Sequence, residues 1–114
     1  MQKTLEQYIA CNCATANTMA IIGGKWKILI LDHLRDHPQG FNELQRSLIG
    51  ITAHTLSKAL KEMVEDNLIS RYDFHTNPPK TEYSITTKGK ELFPMLDVIQ
   101  FFGKKYPINK NRNT

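Results

Sequence analysis

Long apolar runs are missing from this chain; no stretch approaches the roughly 18 residues that a membrane-crossing helix needs. The first ten residues are polar and lack the apolar centre of a secretory signal, so a cytoplasmic location is expected. Cysteine is scarce. Cys11 and Cys13 are the only two in 114 residues. They are too few and too close to staple a fold, and both are expected as reduced thiols. Phosphate-binding glycine loops, a His-Glu-x-x-His pair and a nucleophile elbow are all absent. Cys11-x-Cys13 lacks the thioredoxin-like spacing and any βαβ context. The expectation is therefore no enzyme and no cofactor. His33 and His37 sit four apart, but Pro38 follows and no cysteine or acidic ligand falls at zinc spacing, so no metal is expected. Acidic charge is the minority: eleven Asp and Glu face fifteen Lys and Arg, a net charge of +4. That mildly favours an anionic partner.

What is present suffices for one domain with one core: 114 residues, of which 40% are hydrophobic. Thr15 to Ile22 reads as a short helix ended by Gly23-Gly24. The next helix, from Lys25, carries Trp26, Ile28, Leu29, Ile30, Leu31 and Leu34. It is apolar nearly all round and should lie in the middle of the domain. Pro38-Gln39-Gly40 reads as a turn. Phe41 to Leu48 is a third helix with Leu44 and Leu48 inward. Gly50-Ile51 turns tightly into a fourth helix, Thr52 to Asp66, with Thr52 as its N-cap. There Leu56, Leu60, Met63 and Val64 form an apolar stripe, and His54, Thr55, Lys58 and Lys61 lie on the other side.

After Asn67 the period becomes two. Tyr72 and Phe74 alternate with Arg71, Asp73 and His75, which predicts a strand burying the two aromatics. Thr76 to Lys80 is a loop, because two prolines cannot continue a ladder. Glu82 to Ile85 returns as a second strand. Thr86-Thr87-Lys88-Gly89 opens a last helix with a threonine cap. From Leu92 to Phe102 that helix is apolar except for a narrow wet stripe at Asp97, Gln100 and Lys104. Pro94 predicts a bend near its start. One small domain cannot cover so much apolar surface, which implies a second chain. Three segments follow: an N-terminal piece 1–13, a domain 14–103 with terminal dimerisation helices, and a polar, frayed tail 104–114.

This order of elements, mainly α with a small β-hairpin wing, makes a winged helix-turn-helix. Phe41–Leu48 is the supporting helix and Thr52–Asp66 the recognition helix. Alone, the polar face of Thr52–Asp66 would be an ordinary solvated face. Beside a supporting helix and a wing with a basic tip it is a surface for double-stranded DNA. The N-terminal turn of such a helix enters the major groove, which makes His54, Thr55 and Lys58 candidates for base edges and Ala53 for a thymine methyl. Ser57 is weaker, since it can face the supporting helix. Thr52 and Lys61 are candidates for phosphate, as are Asn42, Arg46 and Lys25, the last at a helix start. On the wing, Lys80 leads, followed by Asn77 and His75.

The chain resembles the HxlR-type branch of the MarR-like bacterial transcription regulators. The likeness rests on Cys13, Ile22-Gly23-Gly24-Lys25-Trp26-Lys27, Gly40-Phe41-Asn42-Glu43-Leu44, Gly50-Ile51, and Pro78-Pro79-Lys80-Thr81-Glu82-Tyr83-Ser84-Ile85-Thr86-Thr87-Lys88-Gly89. It implies a sequence-specific DNA-binding transcription regulator. It also implies a homodimer formed through the terminal helices on a pseudo-palindromic operator. Leu92, Met95, Leu96, Ile99 and Phe102 are the expected dimer interface. In some members it implies redox sensing through the cysteine matching Cys13, with an oxidant or a small molecule as effector. Cys13 precedes a helix start, where the dipole favours a thiolate; the plainer alternative is a small buried side chain. Cys11 is the second candidate thiol. Ala14 stands where the family often has proline. A winged-helix module that binds only protein is the competing reading, and an acidic or apolar recognition face would favour it.

Overall fold

The computed structural model describes Thr4, Glu6, Gln7 and residues 13–109. Cys11 lies outside the described residues. Helix α1 (Ala14–Ile22) starts directly after Cys13 and closes where the Gly23 N–H donates to the Met19 carbonyl at 2.7 Å. Helix α2 (Trp26–Leu34) buries Ile30, Leu31 and Leu34 completely or nearly so. It packs against the later helices and the hairpin, which is the central position its apolar character predicts. Helix α3 (Phe41–Ser47) sends Leu44 into the same core.

Gly50 then takes φ +91°. That left-handed conformation suits glycine and reverses the chain into helix α4 (Ala53–Glu65) within three residues. Thr52 caps α4, its hydroxyl accepting from the Thr55 N–H at 3.1 Å. Leu56, Leu60 and Met63 are fully buried along one side of α4, each worth about 1.5–3 kcal/mol of apolar transfer. Beyond the end of α4 at Glu65, Asn67 adopts φ +61° while the Leu68 N–H reaches back to the Met63 carbonyl at 2.9 Å.

Strands β1 (Ile69–Asp73) and β2 (Thr81–Ile85) pair antiparallel, with Ile69 opposite Ile85 and Arg71 opposite Tyr83. The expected burial of Tyr72 and Phe74 is not observed: Tyr72 is 63% exposed, and the two rings pack edge to face on each other, centroids 4.8 Å apart. The face turned to the body is the other one, where Ile69 and Tyr83 are buried. Alternation identifies two faces, but only the packing of the ribbon on α2 and α4 decides which one is covered. Gln39, read as a turn residue, forms a one-residue third strand. It exchanges backbone hydrogen bonds with Tyr83 at 3.1 and 2.8 Å, and its side-chain amide donates to the His33 carbonyl at 2.6 Å.

The expected single last helix is two. The short α5 (Thr87–Lys90) is capped by Thr86, whose hydroxyl accepts from the Gly89 N–H at 3.0 Å and donates to the Asn67 carbonyl at 2.7 Å. Gly89 lies so close to the Leu68 backbone that a Cβ there would collide with the Leu68 carbonyl oxygen. Helix α6 (Phe93–Lys105) follows after Glu91 and Leu92. Pro94 falls in the first turn of α6, where a missing N–H costs no bond within that helix, and the break between α5 and α6 at Glu91 and Leu92 lies just before it. The helix also passes Gly103 and includes Lys104 and Lys105, which the tail was expected to contain.

Asp97 and Gln100, read as part of a wet stripe, are exposed, and both also reach polar groups on α2 or at its C-terminal end. Arg35 Nη1 lies 2.7 Å from Asp97 Oδ1, and Gln100 Nε2 donates to Asp32 Oδ1 at 2.7 Å. The hydrogen bond from Arg35 holds the Asp97 carboxyl below its ordinary range and raises the guanidinium. The Arg35 guanidinium also stacks 4.7 Å over the Phe93 ring. Among the described residues, no helix is long and apolar enough to cross a membrane.

Candidate nucleic-acid interface

Burial of Leu56, Ala59, Leu60 and Met63 fixes the rotation of α4 about its axis. The opposite arc is then set by helical spacing. It presents His54, Lys58 and Lys61, all exposed, with Ala53 exposed at the first turn. Lys58 and Lys61 have no ion pair among the described residues. Glu62 lies on the flank toward α2 and pairs with Lys27 at 3.5 Å. An exposed arc of unpaired donors and positive charge at the start of a well-packed helix matches the requirements of a major groove.

Thr55 is half-buried, and its hydroxyl accepts from the Thr52 hydroxyl at 2.9 Å, so it belongs to the cap. Ser57, ranked weaker because it can face the supporting helix, is exposed and lies at the edge facing the wing. Thr52 stays exposed at the end of the turn. On the supporting helix, Asn42 and Arg46 are both exposed. Asn42 shares a groove with Pro79, Lys80 and Thr81, which brings the supporting helix and the wing tip to one side of the molecule.

The wing tip is built around Phe74. The Lys80 ammonium sits 5.1 Å over the Phe74 ring, which restrains a lysine that would otherwise sweep freely. His75 adopts φ +53°, and its N–H donates to Asp73 Oδ1 at 2.8 Å, turning the chain outward. The Thr76 hydroxyl donates to the Pro78 carbonyl at 2.9 Å. Asn77 and Lys80 are exposed at the tip. Lys25 is exposed at the N-cap of α2 with its ammonium 4.7 Å from the Trp26 ring. Trp26 itself packs against the core.

The second surface of interest lies on α6. Leu96 is only 2% exposed and belongs to the protomer's own core, so it is not available to a partner. Leu92 and Met95 are half-buried against that core. Ile99 and Phe102 are exposed, and they are joined by Val98 and Phe101, each 68% exposed, which the expected interface omitted. Cys13 is a free, half-buried thiol at the N-cap of α1 and makes no capping hydrogen bond through its side chain. Among the described residues, no group of three His, Cys, Asp or Glu side chains is arranged to hold a metal ion.

Three helices, a capped recognition helix and a two-stranded wing with a lysine at its tip define a winged helix-turn-helix DNA-binding protein. More narrowly, the chain belongs to the HxlR-like helix-turn-helix family, whose model matches residues 21–111. It is 44% identical over 93 residues to an uncharacterized HTH-type transcriptional regulator, BH0655, of Halalkalibacterium halodurans, covering 81% of this chain and 82% of that protein. It is 39% identical over 94 residues to the uncharacterized HTH-type transcriptional regulator YdeP of Bacillus subtilis, covering 82% and 73%. A solved structure of the redox regulator HypR in its oxidized form is similar at 34% identity and TM-score 0.81, over 85% of this chain and all of that one. The reduced form of HypR is similar at 35% identity and TM-score 0.76, over 80% and 90%. The protein is a DNA-binding transcription regulator.

Proposed function

We propose that the protein acts as a homodimer on a pseudo-palindromic operator, with two copies of α4 entering successive major grooves about 34 Å apart. The observation that carries this reading is the exposed arc of His54, Lys58 and Lys61, without ion pairs among the described residues, beside a wing with Lys80 at its tip. His54 and Lys58 read base edges, and Ala53 meets a thymine methyl. Thr55 contributes through the cap, setting the first turn of α4. Thr52, Lys61, Lys25, Asn42 and Arg46 meet backbone phosphates. Lys80, with Asn77 and His75, follows the backbone or the adjacent minor groove.

Dimerisation through α6 is supported by its exposed Val98, Ile99, Phe101 and Phe102. A contiguous apolar face of this kind is uncommon on a monomer. The partners are therefore double-stranded DNA and a second copy of the chain. The role is regulatory rather than enzymatic, and the location is cytoplasmic, where its operator is. Cys13 senses an oxidant or electrophile, a reading supported by the similarity to HypR.

The test is a band shift on DNA recovered by genomic pulldown, starting with the region upstream of the protein's own gene. His54→Ala combined with Lys58→Ala should remove about 2–6 kcal/mol of discrimination between operator and scrambled duplex, at about 1–3 kcal/mol per base contact. A double variant that discriminates as well as wild type would refute the assigned face.

A further inference from the structure

The groove between α4 and the wing has a volume of about 350 Å³. Its helix wall is formed by Ser57, Lys61 and Glu65, spaced four apart and so stacked along one edge of α4. Its wing wall is formed by Arg71 and Tyr83, which face each other across the ladder and leave the sheet on the side turned to α4. Leu60 contributes to an apolar floor that offers the cations no acceptor.

Arg71 is exposed and has no ion pair or side-chain hydrogen bond among the described residues; the same holds for Lys61. Arg35 differs, its guanidinium being tied to Asp97. Lys61 and Arg71 on facing walls outweigh the single carboxylate of Glu65, so the groove carries a net positive charge that attracts an anion from outside. The groove opens beside the arc that carries His54 and Lys58. With α4 seated in a major groove, the flanking DNA strand would pass this edge of the helix.

We propose that Arg71 and Lys61 clamp one backbone phosphate of the bound duplex in this groove. The inference rests on α4 being the recognition helix. The planar guanidinium supplies two parallel donors to the phosphate oxygens, Lys61 adds a point charge, and the Ser57 hydroxyl donates a third contact. Glu65, one turn further along the same row, repels phosphate and sets the end of the clamp. The contact is sequence-independent, so it fixes the register of α4 in the groove without reading bases.

The test uses the full chain and fluorescence anisotropy on two labelled duplexes of roughly 30 base pairs, the recovered operator and a scrambled sequence, between about 50 and 200 mM salt. Arg71→Gln is expected to weaken both duplexes about equally and to reduce the slope of log K against log salt by about 0.9. Arg71→Lys should keep the wild-type slope yet bind severalfold more weakly, since lysine cannot form the fork. Glu65→Gln should tighten both duplexes. Wild-type affinity and slope in Arg71→Gln would overturn the clamp. So would a loss confined to the operator with an unchanged slope, because that pattern marks a base contact. If Arg71→Gln fails to give a cooperative melt, Glu65→Gln on the exposed helix edge decides, and unchanged or weaker binding overturns the proposal. Absence of wild-type binding to either duplex overturns the operator reading itself, and the clamp with it.

Discussion

Truncating Phe101 to alanine should split the proposed dimer while leaving the protomer folded. Phe101 is 68% exposed in the single chain. A phenylalanine covers roughly 200 Å² when fully buried. About 130 Å² therefore remains for a partner, worth ~3 kcal/mol at about 25 cal/mol per Å². Two-fold symmetry places a copy on each protomer, so full coverage would give ~6 kcal/mol, and the retained Cβ and partial coverage bring the loss back toward ~3. That smaller figure is still roughly a hundredfold in the dimer dissociation constant. Leu96→Ala is the matched control. Leu96 is 2% exposed within the protomer, so its truncation should cost about 2–5 kcal/mol of folding stability. Sedimentation equilibrium reads the first effect and thermal melts read the second. A Phe101→Ala protein that melts like wild type and dimerises within about threefold of it would refute α6 as the seam.

Two other outcomes follow from named contacts. If Cys13 is the sensor, an oxidant or quinone should change operator binding of wild type by severalfold and leave Cys13→Ser unaffected; equal responses would remove Cys13 from that role. The Arg35–Asp97 pair predicts an acid dependence of stability. Its hydrogen bond holds the folded-state Asp97 carboxyl below its unfolded value. The contribution is therefore fully present above the unfolded value near pH 4 and is lost as pH falls through the lower, folded value. Asp97→Asn should flatten that part of the curve of melting temperature against pH, and parallel curves for the two proteins would contradict the assignment.

The parts of the fold that were legible in the sequence are those set by local rules. Leu56, Leu60 and Met63 at helical spacing, Thr52 as cap and Gly50 at the turn together determine α4 and its exposed arc. The wing was legible as an element, because Pro78 and Pro79 interrupt two alternating runs. Its covered face was not, because Tyr72 and Arg71 alternate equally well on a ribbon that packs into the core through Ile69, Tyr83 and Ile85. For the same reason Arg71 passed for a solvated strand residue. Its position across the groove from Lys61 depends on the register of β1 with β2. On α6, apolar residues run nearly all round, so the period carries no phase. The contacts of Asp97 and Gln100 with α2 fix that phase, turning Leu96 inward and leaving Phe101 free. No sequence signal marked Gln39, whose bridge to Tyr83 depends on the folded position of the wing.

Hydroxyl-radical footprinting of the wild-type protein on its recovered operator tests the central claim most directly. Paired recognition helices predict two protected half-sites on one face of the duplex, their centres about one helical turn, or roughly 34 Å, apart. A single protected patch, or the same diffuse protection on operator and scrambled DNA, would contradict it.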